Sequence, residues 1–340
     1  MDFSELDYQA KVRDSLNKIL TDKCSQDELK NFDDGFKHDD ALLSLLAENG
    51  YLGLGINEKF GGSGEDLYDL GILFERLGYY AAPLSLTGCL VDVAQTIQKF
   101  SEAETHRSIL KSIVKGEIYT SAILEPNNQD PENPITKAKF NGDKILINGV
   151  KYLSEIASVA KSILVSVSSD EGVLLVLIDK DKVKLTPLAS TANSPIFKVE
   201  INDVTLDQSS IIHEKGRGLE ALRYLLQINM VMRSYIALGV AEKMTALIAS
   251  YTSEREQFGR VIGTFQAVSH RAADCFIELE CLRLVNQQAS VNLNTNHDCE
   301  NDALISKIWA GNACHKISYS AQHLHGGTGV DKDYVLWRYC

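Results

Sequence analysis

Three blocks of hydrophobic periodicity follow one another along this sequence, and their order leaves few possible architectures. The last block begins after Gly218, where apolar residues recur at three- and four-residue steps for roughly 40 residues, so one long helix is predicted there. Its apolar positions are Leu222, Leu226, Met230, Ile236, Val240, Met244, Leu247 and Tyr251. Gly259 and Gly263 interrupt this pattern, and two further helices are predicted over about 264–294 and 300–325.

The two earlier blocks differ from each other in period. The first block has helical spacing, for example over 42–46 and 67–77. From Tyr119 to Ile211, short β-branched runs alternate with turns such as Asn141-Gly142-Asp143, which is typical of an antiparallel sandwich or barrel. We therefore predict an α+β, mainly α fold. Its predicted domains are an N-terminal helical domain at 1–117, a β domain at 118–212 and a C-terminal helical bundle at 213–340.

Composition excludes several classes of function. The net charge of −12 argues against nucleic-acid binding, because phosphate contacts need a basic face. No apolar run reaches the roughly 18–20 residues of a membrane-spanning helix, and the acidic first residues resemble no secretory or transit signal. The seven cysteines are scattered, which predicts buried reduced thiols, among them Cys275 and Cys281, and a cytoplasmic location. No metal site is predicted, because the histidines have no ligand spacing apart from His323 and His325 beside a glycine turn.

The segment after Tyr251 carries the most specific motif. It reads Arg255-Glu256-Gln257-Phe258-Gly259 and continues through Thr264 to Gln266. A charged helix end, a glycine stop and a new helix at Thr264 would explain the backbone, but not this order of side chains. A second motif reads His323-Leu324-His325-Gly326-Gly327-Thr328-Gly329. No predicted strand precedes it, so it is not a Rossmann fingerprint and nicotinamide binding is not expected.

Both motifs resemble signatures of the acyl-CoA dehydrogenase family. Further likeness lies in Asn49–Leu54, Glu58–Gly62, Leu124-Glu125-Pro126 and Asn148-Gly149-Val150-Lys151, so the resemblance covers most of the chain. It implies a helical domain, a β-barrel and a four-helix C-terminal domain that forms tetramers. It also implies FAD as cofactor, an acyl-CoA substrate, an α,β-unsaturated acyl-CoA product and electron-transfer flavoprotein as the electron acceptor.

The resemblance also assigns contacts to the adenosine-diphosphate part of FAD. In the family the Arg of the first motif meets the pyrophosphate, and its Phe and later Gln line the adenosine side, while the second motif brings its glycine backbone against the ADP portion. A guanidinium fork suits a diphosphate, and a helix N-terminus near Thr264 adds positive potential. In the second motif His323 stands at the family's Gln position, with Gln322 one step earlier. The expected cofactor-binding residues are Arg255, Gln257, Phe258, Gln266, His323, Gly326 and Gly327.

No catalytic residue is assigned in this chain. The family's proton-abstracting Glu lies in most members beyond the region of Arg338, and the sequence given ends at Cys340. A minority of members place that Glu on the long helix, about 26 residues before the motif Arg, where Asn229 stands here. Glu220 and Glu242 lie on the same helix and are expected to be exposed charges.

The contacts to the flavin ring also depart from the family pattern. Asn127-Asn128-Gln129-Asp130 replaces a run of small residues, and Leu153 and Glu155 stand at the family's Trp and Thr positions. An anionic Glu beside flavin N5 would disfavour the reduced, negatively charged ring. These losses indicate the shorter, base-less subunit of a bacterial α2β2 dehydrogenase of the steroid side-chain type, whose longer homologous partner holds the base. A self-sufficient homotetrameric dehydrogenase and a structural paralogue without flavin contact remain as alternatives.

Overall fold

The computed structural model describes residues 5–33, 37–64, 66–191, 194–295 and 299–340, and along the chain a β region follows a first set of helices and precedes a second, as predicted. The α-helices are α1 Asp7–Lys23, α2 Gln26–Leu29, α3 Asp40–Glu48, α4 Leu67–Tyr79, α5 Ala94–Phe100, α6 Glu104–Val114, α7 Gly218–Glu254, α8 Gln266–Asn294 and α9 Glu300–His325. A π-helix at Thr87–Val93 leads directly into α5. The predicted long helix is therefore α7, which has 37 residues.

The β region forms one mixed sheet. Its strands are β1 Thr120–Ala122, β2 Lys137–Asn141, β3 Lys144–Glu155, β4 Ser162–Ser169, β5 Gly172–Asp179, β6 Lys184–Leu188 and β7 Ile196–Asp207. The order is β1-β4-β2-β3-β7-β6, with β5 on β4. The predicted turn at Gly142 joins β2 and β3 as an antiparallel hairpin, but β1 and β2 pair with β4 in parallel. Strands joined by a tight hairpin must run antiparallel, whereas β1 and β4 can pair in parallel because the chain between them is long and includes the β2–β3 hairpin.

The core of the sheet follows from the alternation of its strands. In β7 buried and less buried positions alternate from Phe197 to Ile201, as expected when one face of a strand packs inward. The inner residues of β3, β4, β5 and β7 make one apolar cluster. In contrast, β4 is buried continuously from Ile163 to Val167, so both of its faces are covered.

Packing divides the chain into two compact units. Unit 1 comprises Met1–Lys30, Leu67–Ala82 and Met230–Cys340, and unit 2 comprises Asn31–Asp66 and Pro83–Asn229. Unit 1 therefore contains α8, α9 and most of α7, and unit 2 contains the sheet. The three-domain division along the chain stays a prediction, because these units follow packing and not chain order.

Within unit 1, α4 and α7 approach so closely that glycine is needed at the contact. A Cβ on Gly239 would lie 1.8 Å from the Glu75 carbonyl oxygen, and one on Gly78 would lie 2.2 Å from that of Ile236. The Glu75 carboxylate at this contact is almost fully buried and accepts hydrogen bonds from Arg13 and Arg76 at 2.8 Å. Burial opposes its ionisation, but Arg13, Arg76 and Arg283 outweigh that effect and lower the pKa of Glu75 to about 2.

Candidate functional site

The first motif forms a tight hairpin between α7 and α8. Two-residue strands β8 Glu256–Gln257 and β9 Arg260–Val261 pair antiparallel, and the intervening Phe258 and Gly259 have φ angles of +57° and +78°. Two positive φ angles in a two-residue loop define a type I′ turn. The expected helix start at Thr264 was wrong by two residues: Ile262–Thr264 is a 3₁₀ turn and α8 begins at Gln266.

Phe258 at the tip of this hairpin is both strained and exposed. Its left-handed conformation disfavours a residue with a Cβ, by about 1–2 kcal/mol. Phe258 is 92% exposed, and its ring makes a T-shaped contact with that of Phe265, with ring centroids 6.2 Å apart. A strained backbone that presents a large aromatic ring to solvent is typical of a binding site, where a ligand contact compensates the strain.

The polar side chains of the first motif lie at the surface, where Gln257 Nε2 donates to the carbonyl oxygen of Glu256 at 2.8 Å. Arg255, Gln257 and Gln266 are all exposed. Within the described ranges no carboxylate forms an ion pair with Arg255, whose backbone is held by hydrogen bonds to Tyr251 and Ile262. A guanidinium on a rigid backbone with free donors is a suitable partner for a diphosphate.

The second motif presents open backbone at the end of α9. Gly326 has φ +59° and ψ −134°, and a Cβ added at Gly326 or Gly327 would meet no atom within 4 Å. His323, at the family's Gln position, is exposed and stacks loosely on Tyr319. Gly329 differs because it is buried, and a Cβ there would lie 2.8 Å from the Gln322 carbonyl oxygen. The first two glycines therefore leave room for a ligand, whereas Gly329 closes the turn.

These residues fit the adenosine-diphosphate part of FAD. The seven predicted contact residues all belong to unit 1 and are all exposed: Arg255, Gln257, Phe258, Gln266, His323, Gly326 and Gly327. Together they offer a guanidinium for the diphosphate, open glycine backbone for its oxygens and an aromatic face for the adenine. The individual contacts remain predictions.

The positions expected at the flavin ring lie in unit 2 and look different. Glu155, at the family's Thr position, accepts a hydrogen bond from Thr87 Oγ1 at 2.7 Å, and its backbone carbonyl accepts one from Thr120 Oγ1 at 2.7 Å. Leu153 lies in the bulge of β3 between Lys151 and Ser154, has φ +58° and is 50% exposed. The Glu155 carboxylate is therefore committed to a partner inside the fold.

Asn229, at the family's alternative position of the base, is also hydrogen-bonded to a side chain of unit 2. Its Nδ2 donates to Asp92 Oδ1 at 2.7 Å, and Ser121 Oγ donates to the other oxygen of Asp92. Asp92 is buried on the π-helix, and a π-helical turn often marks a functional region. Sequence reasoning missed Asp92, although a single acidic residue in the apolar run Gly88–Val93 was an available signal.

A buried ion pair between Lys151 and Glu125 was also missed. Lys151 is fully buried and donates to Glu125 Oε1 at 2.8 Å and to Ser166 Oγ at 3.0 Å. Burial opposes ionisation of Glu125, but the Ile135 N–H and Lys151 outweigh it and lower the pKa of Glu125 to about 2. Burial also lowers the pKa of Lys151 to about 8 against the opposing effect of Glu125. No local pattern predicts a pair whose members lie 26 residues apart.

The structure tests the expectations for two glutamates and two cysteines. Glu220 is an exposed charge paired with Arg217, as expected. The expectation that Glu242 is exposed was wrong, because Glu242 pairs with Arg76 and Arg283 at the packed α4–α7 contact. Cys275 is buried as expected, whereas Cys281 is only partly buried. Among the described residues no group of three or more potential metal ligands occurs, and none of their helices is long and apolar enough to cross a membrane.

Comparisons with known proteins show which family the chain resembles. Residues 7–117 match the model of the acyl-CoA dehydrogenase N-terminal domain, and residues 216–340 match that of the acyl-CoA dehydrogenase C-terminal domain. The chain is 27% identical to acyl-CoA dehydrogenase FadE27 of Mycobacterium tuberculosis over 100% of its own length and 92% of that protein.

Two solved structures share the fold over nearly the whole chain. A variant of the Tcur3481-Tcur3483 steroid ACAD is 31% identical with a TM-score of 0.91, covering 98% of this chain and 91% of its own. The ChsE4-ChsE5 complex from Mycobacterium tuberculosis is 26% identical with a TM-score of 0.92, and the match covers 100% of this chain and 92% of that chain. The matched domains and the α+β architecture agree, and the chain belongs to the acyl-CoA dehydrogenase family of FAD-dependent oxidoreductases.

Proposed function

We propose that this chain is one subunit of a heteromeric acyl-CoA dehydrogenase and supplies contacts to the pyrophosphate and adenosine of FAD. A longer homologous subunit supplies the Glu base, the bed of the flavin ring and the acyl-CoA cleft, in an α2β2 assembly. The observation that carries this proposal is an asymmetry. The seven residues assigned to the ADP part of FAD are exposed, whereas Glu155 and Asn229 are bound to other side chains of unit 2.

The chemistry of the family explains why this asymmetry matters. A base removes the proton next to the thioester carbonyl, and the flavin, when bound, accepts the hydride from the neighbouring carbon. The base must therefore reach the substrate with a free carboxylate. Asn229 is neutral, and both oxygens of the adjacent Asp92 accept hydrogen bonds from Asn229 and Ser121. These positions do not provide a free base.

A large apolar surface on unit 1 supports the need for a partner. Exposed apolar side chains lie on both α8 and α9, which pack against each other. They are Phe276, Ile277, Leu284, Leu304, Ile305, Ile308 and Tyr319. So many exposed large apolar residues on two adjacent helices mark an interaction surface. A homologous subunit is the proposed occupant, because two of the similar structures are named as pairs of proteins, Tcur3481-Tcur3483 and ChsE4-ChsE5.

The proposed substrate class follows from the same relatives. One of these structures is a steroid ACAD, so we assign a CoA thioester of a steroid side chain as the substrate of the assembly. Electron-transfer flavoprotein is the proposed acceptor of the electrons.

Mixing experiments test the division of labour. The chain alone should be colourless and inactive with acyl-CoA and an artificial electron acceptor. Mixed with its longer homologous subunit, it should give a yellow assembly with one FAD for each pair of unlike chains. A yellow and active enzyme obtained from this chain alone would contradict the proposal.

Arg255→Ala tests the diphosphate contact in the mixed assembly. Because charge-assisted hydrogen bonds contribute about 1.5–3 kcal/mol each, FAD affinity should fall about tenfold or more. Arg223→Ala is the matched control, since it removes an exposed guanidinium that pairs with Glu132 in unit 2, and FAD affinity should not change. Equal FAD affinity in both variants would favour a structural paralogue without flavin contact.

A self-sufficient homotetramer is the second candidate, and the buried Asp92 beside Asn229 is the observation that favours it. If Asp92 were the base, Asp92→Asn would abolish dehydrogenation while flavin remained bound. Under the proposed division of labour, Asp92→Asn leaves the turnover of the mixed assembly within about twofold of the wild type, provided that circular dichroism shows an unchanged fold.

A further inference from the structure

A cluster of three aromatic residues lies directly beside both dinucleotide-binding motifs. The imidazole of His325 stacks on the ring of Tyr251, with centroids 4.4 Å apart and planes inclined by 28°. Tyr334 completes the cluster, with its ring centroid 5.3 Å from that of His325 and 6.4 Å from that of Tyr251. His325 is only 2% exposed, so this arrangement is held inside unit 1.

The hydrogen bonds of His325 define one orientation of its ring. Its Nδ1 lies 2.7 Å from the Ala321 carbonyl oxygen, and a carbonyl can only accept, so Nδ1 carries the proton. Nε2 of the neutral ring is then the acceptor for the Tyr334 hydroxyl at 3.2 Å. Burial lowers the pKa of His325 against opposing backbone hydrogen bonds at Ala321 and Leu247, which agrees with the neutral ring.

Each member of the cluster belongs to a different segment. Tyr251 lies in the last turn of α7, and its carbonyl oxygen accepts the hydrogen bond of the Arg255 N–H at 3.0 Å. His325 is the last residue of α9 and directly precedes Gly326. Tyr334 follows the glycine turn, and its N–H donates to the Asp331 carbonyl at 3.2 Å. The cluster therefore links the start of one motif to the start of the other.

The geometry points to His325 as a positioning residue that holds Arg255 and the Gly326-Gly327 backbone in the relative placement needed to bind one FAD diphosphate. This inference rests on the proposed function of the two motifs. His325 acts through the ring of Tyr251 on one side and through its own helix end on the other, and the Tyr334 hydroxyl prevents its ring from turning. A ligand that contacts both motifs requires their separation to be maintained within a fraction of an ångström.

Tyr334→Phe is the mildest test, because it removes one hydroxyl and keeps both ring contacts. In the mixed assembly, stripped of flavin and titrated with FAD, the Kd should rise about three- to tenfold, the range expected for one hydrogen bond. His325→Phe keeps a ring on Tyr251 but loses the hydrogen bonds of the imidazole, and its Kd should rise further. The double variant should equal His325→Phe alone, because the Tyr334 hydroxyl then has no acceptor left.

Tyr80→Phe is the matched control, since it removes a hydroxyl that bonds Thr21 Oγ1 at 3.0 Å in the same unit, away from both motifs. Its Tm should change as much as that of Tyr334→Phe, while its Kd for FAD stays at the wild-type value. If Tyr334→Phe lowers the Tm without changing the Kd, the cluster only supports the fold and the inference is wrong.

Arg255→Ala separates this inference from the proposed function. If Arg255→Ala weakens FAD binding and neither cluster variant does, the diphosphate contact stands and the positioning role of His325 is refuted. If Arg255→Ala has no effect either, the proposed function fails and the inference fails with it. Should His325→Phe not fold, Tyr334→Phe alone still decides between these outcomes.

Discussion

The hairpin after α7 and the bulge in β3 each present a strained apolar residue to solvent, but their surroundings differ. Phe258 and Leu153 have nearly the same φ angle, +57° and +58°, and are 92% and 50% exposed. Beside Phe258 the Arg255 guanidinium is exposed and has no ion-pair partner in the described part of the chain. Beside Leu153, Lys151 and Glu155 are bonded to other residues of unit 2. Strain and exposure alone therefore do not identify a ligand site, and the proposal of a ligand site at the hairpin rests on the exposed Arg255 guanidinium beside them.

The contribution of the buried Glu125–Lys151 pair of unit 2 to the free energy of unfolding can be measured. Lys151→Met leaves the Glu125 carboxylate buried without its cation, and removal of one partner from a buried pair costs about 3–5 kcal/mol. The free energy of unfolding, measured with denaturant, should fall by that amount. Lys184→Met is the control, because Lys184 is itself exposed and such a surface pair contributes about 0–1 kcal/mol. Equal losses in the two variants would show that the Glu125–Lys151 pair is not a buried anchor.

Lowering the pH should also show how much the Glu125–Lys151 pair contributes to the free energy of unfolding. The pKa of Glu125 is about 2 in the folded chain, below the usual value of 4.5, so its contribution is complete above about pH 4.5 and is lost as the pH falls towards 2. The shift corresponds to about 3 kcal/mol. Glu125→Gln should therefore flatten the decline of unfolding free energy over this window, whereas Glu200→Gln, in an exposed pair, should leave it nearly unchanged. Glu75 contributes a similar acid dependence in unit 1, so some decline remains.

The smallest expected effect compares the two strained residues directly. Asn tolerates the left-handed region better than Phe or Leu, so Phe258→Asn and Leu153→Asn should each raise the unfolding free energy by up to about 1 kcal/mol. Only Phe258→Asn should also weaken FAD binding in the mixed assembly. A gain in stability together with a loss of binding is the signature of strain kept for function. Weaker binding in Leu153→Asn as well would place flavin contacts in unit 2 of this chain.

Much of this organisation was predictable because its causes are local. Helical spacing after Gly218 predicted α7 to within a few residues, and the turn residues around Gly142 predicted the β2–β3 hairpin. The motif at Arg255 predicted a dinucleotide contact, and its residues are exposed as a contact requires. The start of α8 was misplaced because a 3₁₀ turn at Ile262–Thr264 has the same residue preferences as a first helical turn.

By itself, the sequence determined the family, the order of the elements and which side chains are available to hold the ADP part of FAD, since these depend on short-range spacing and residue type. Only the tertiary structure decided which polar groups are already committed. The hydrogen bond between Asn229 and Asp92 joins residues that lie 137 positions apart. Lys151 lies in β3 and pairs with Glu125, and no local turn specifies the parallel strand pairings of that sheet. The physical reason is that a buried polar group must find a hydrogen-bond partner wherever the fold provides one, and chain separation places no limit on that choice.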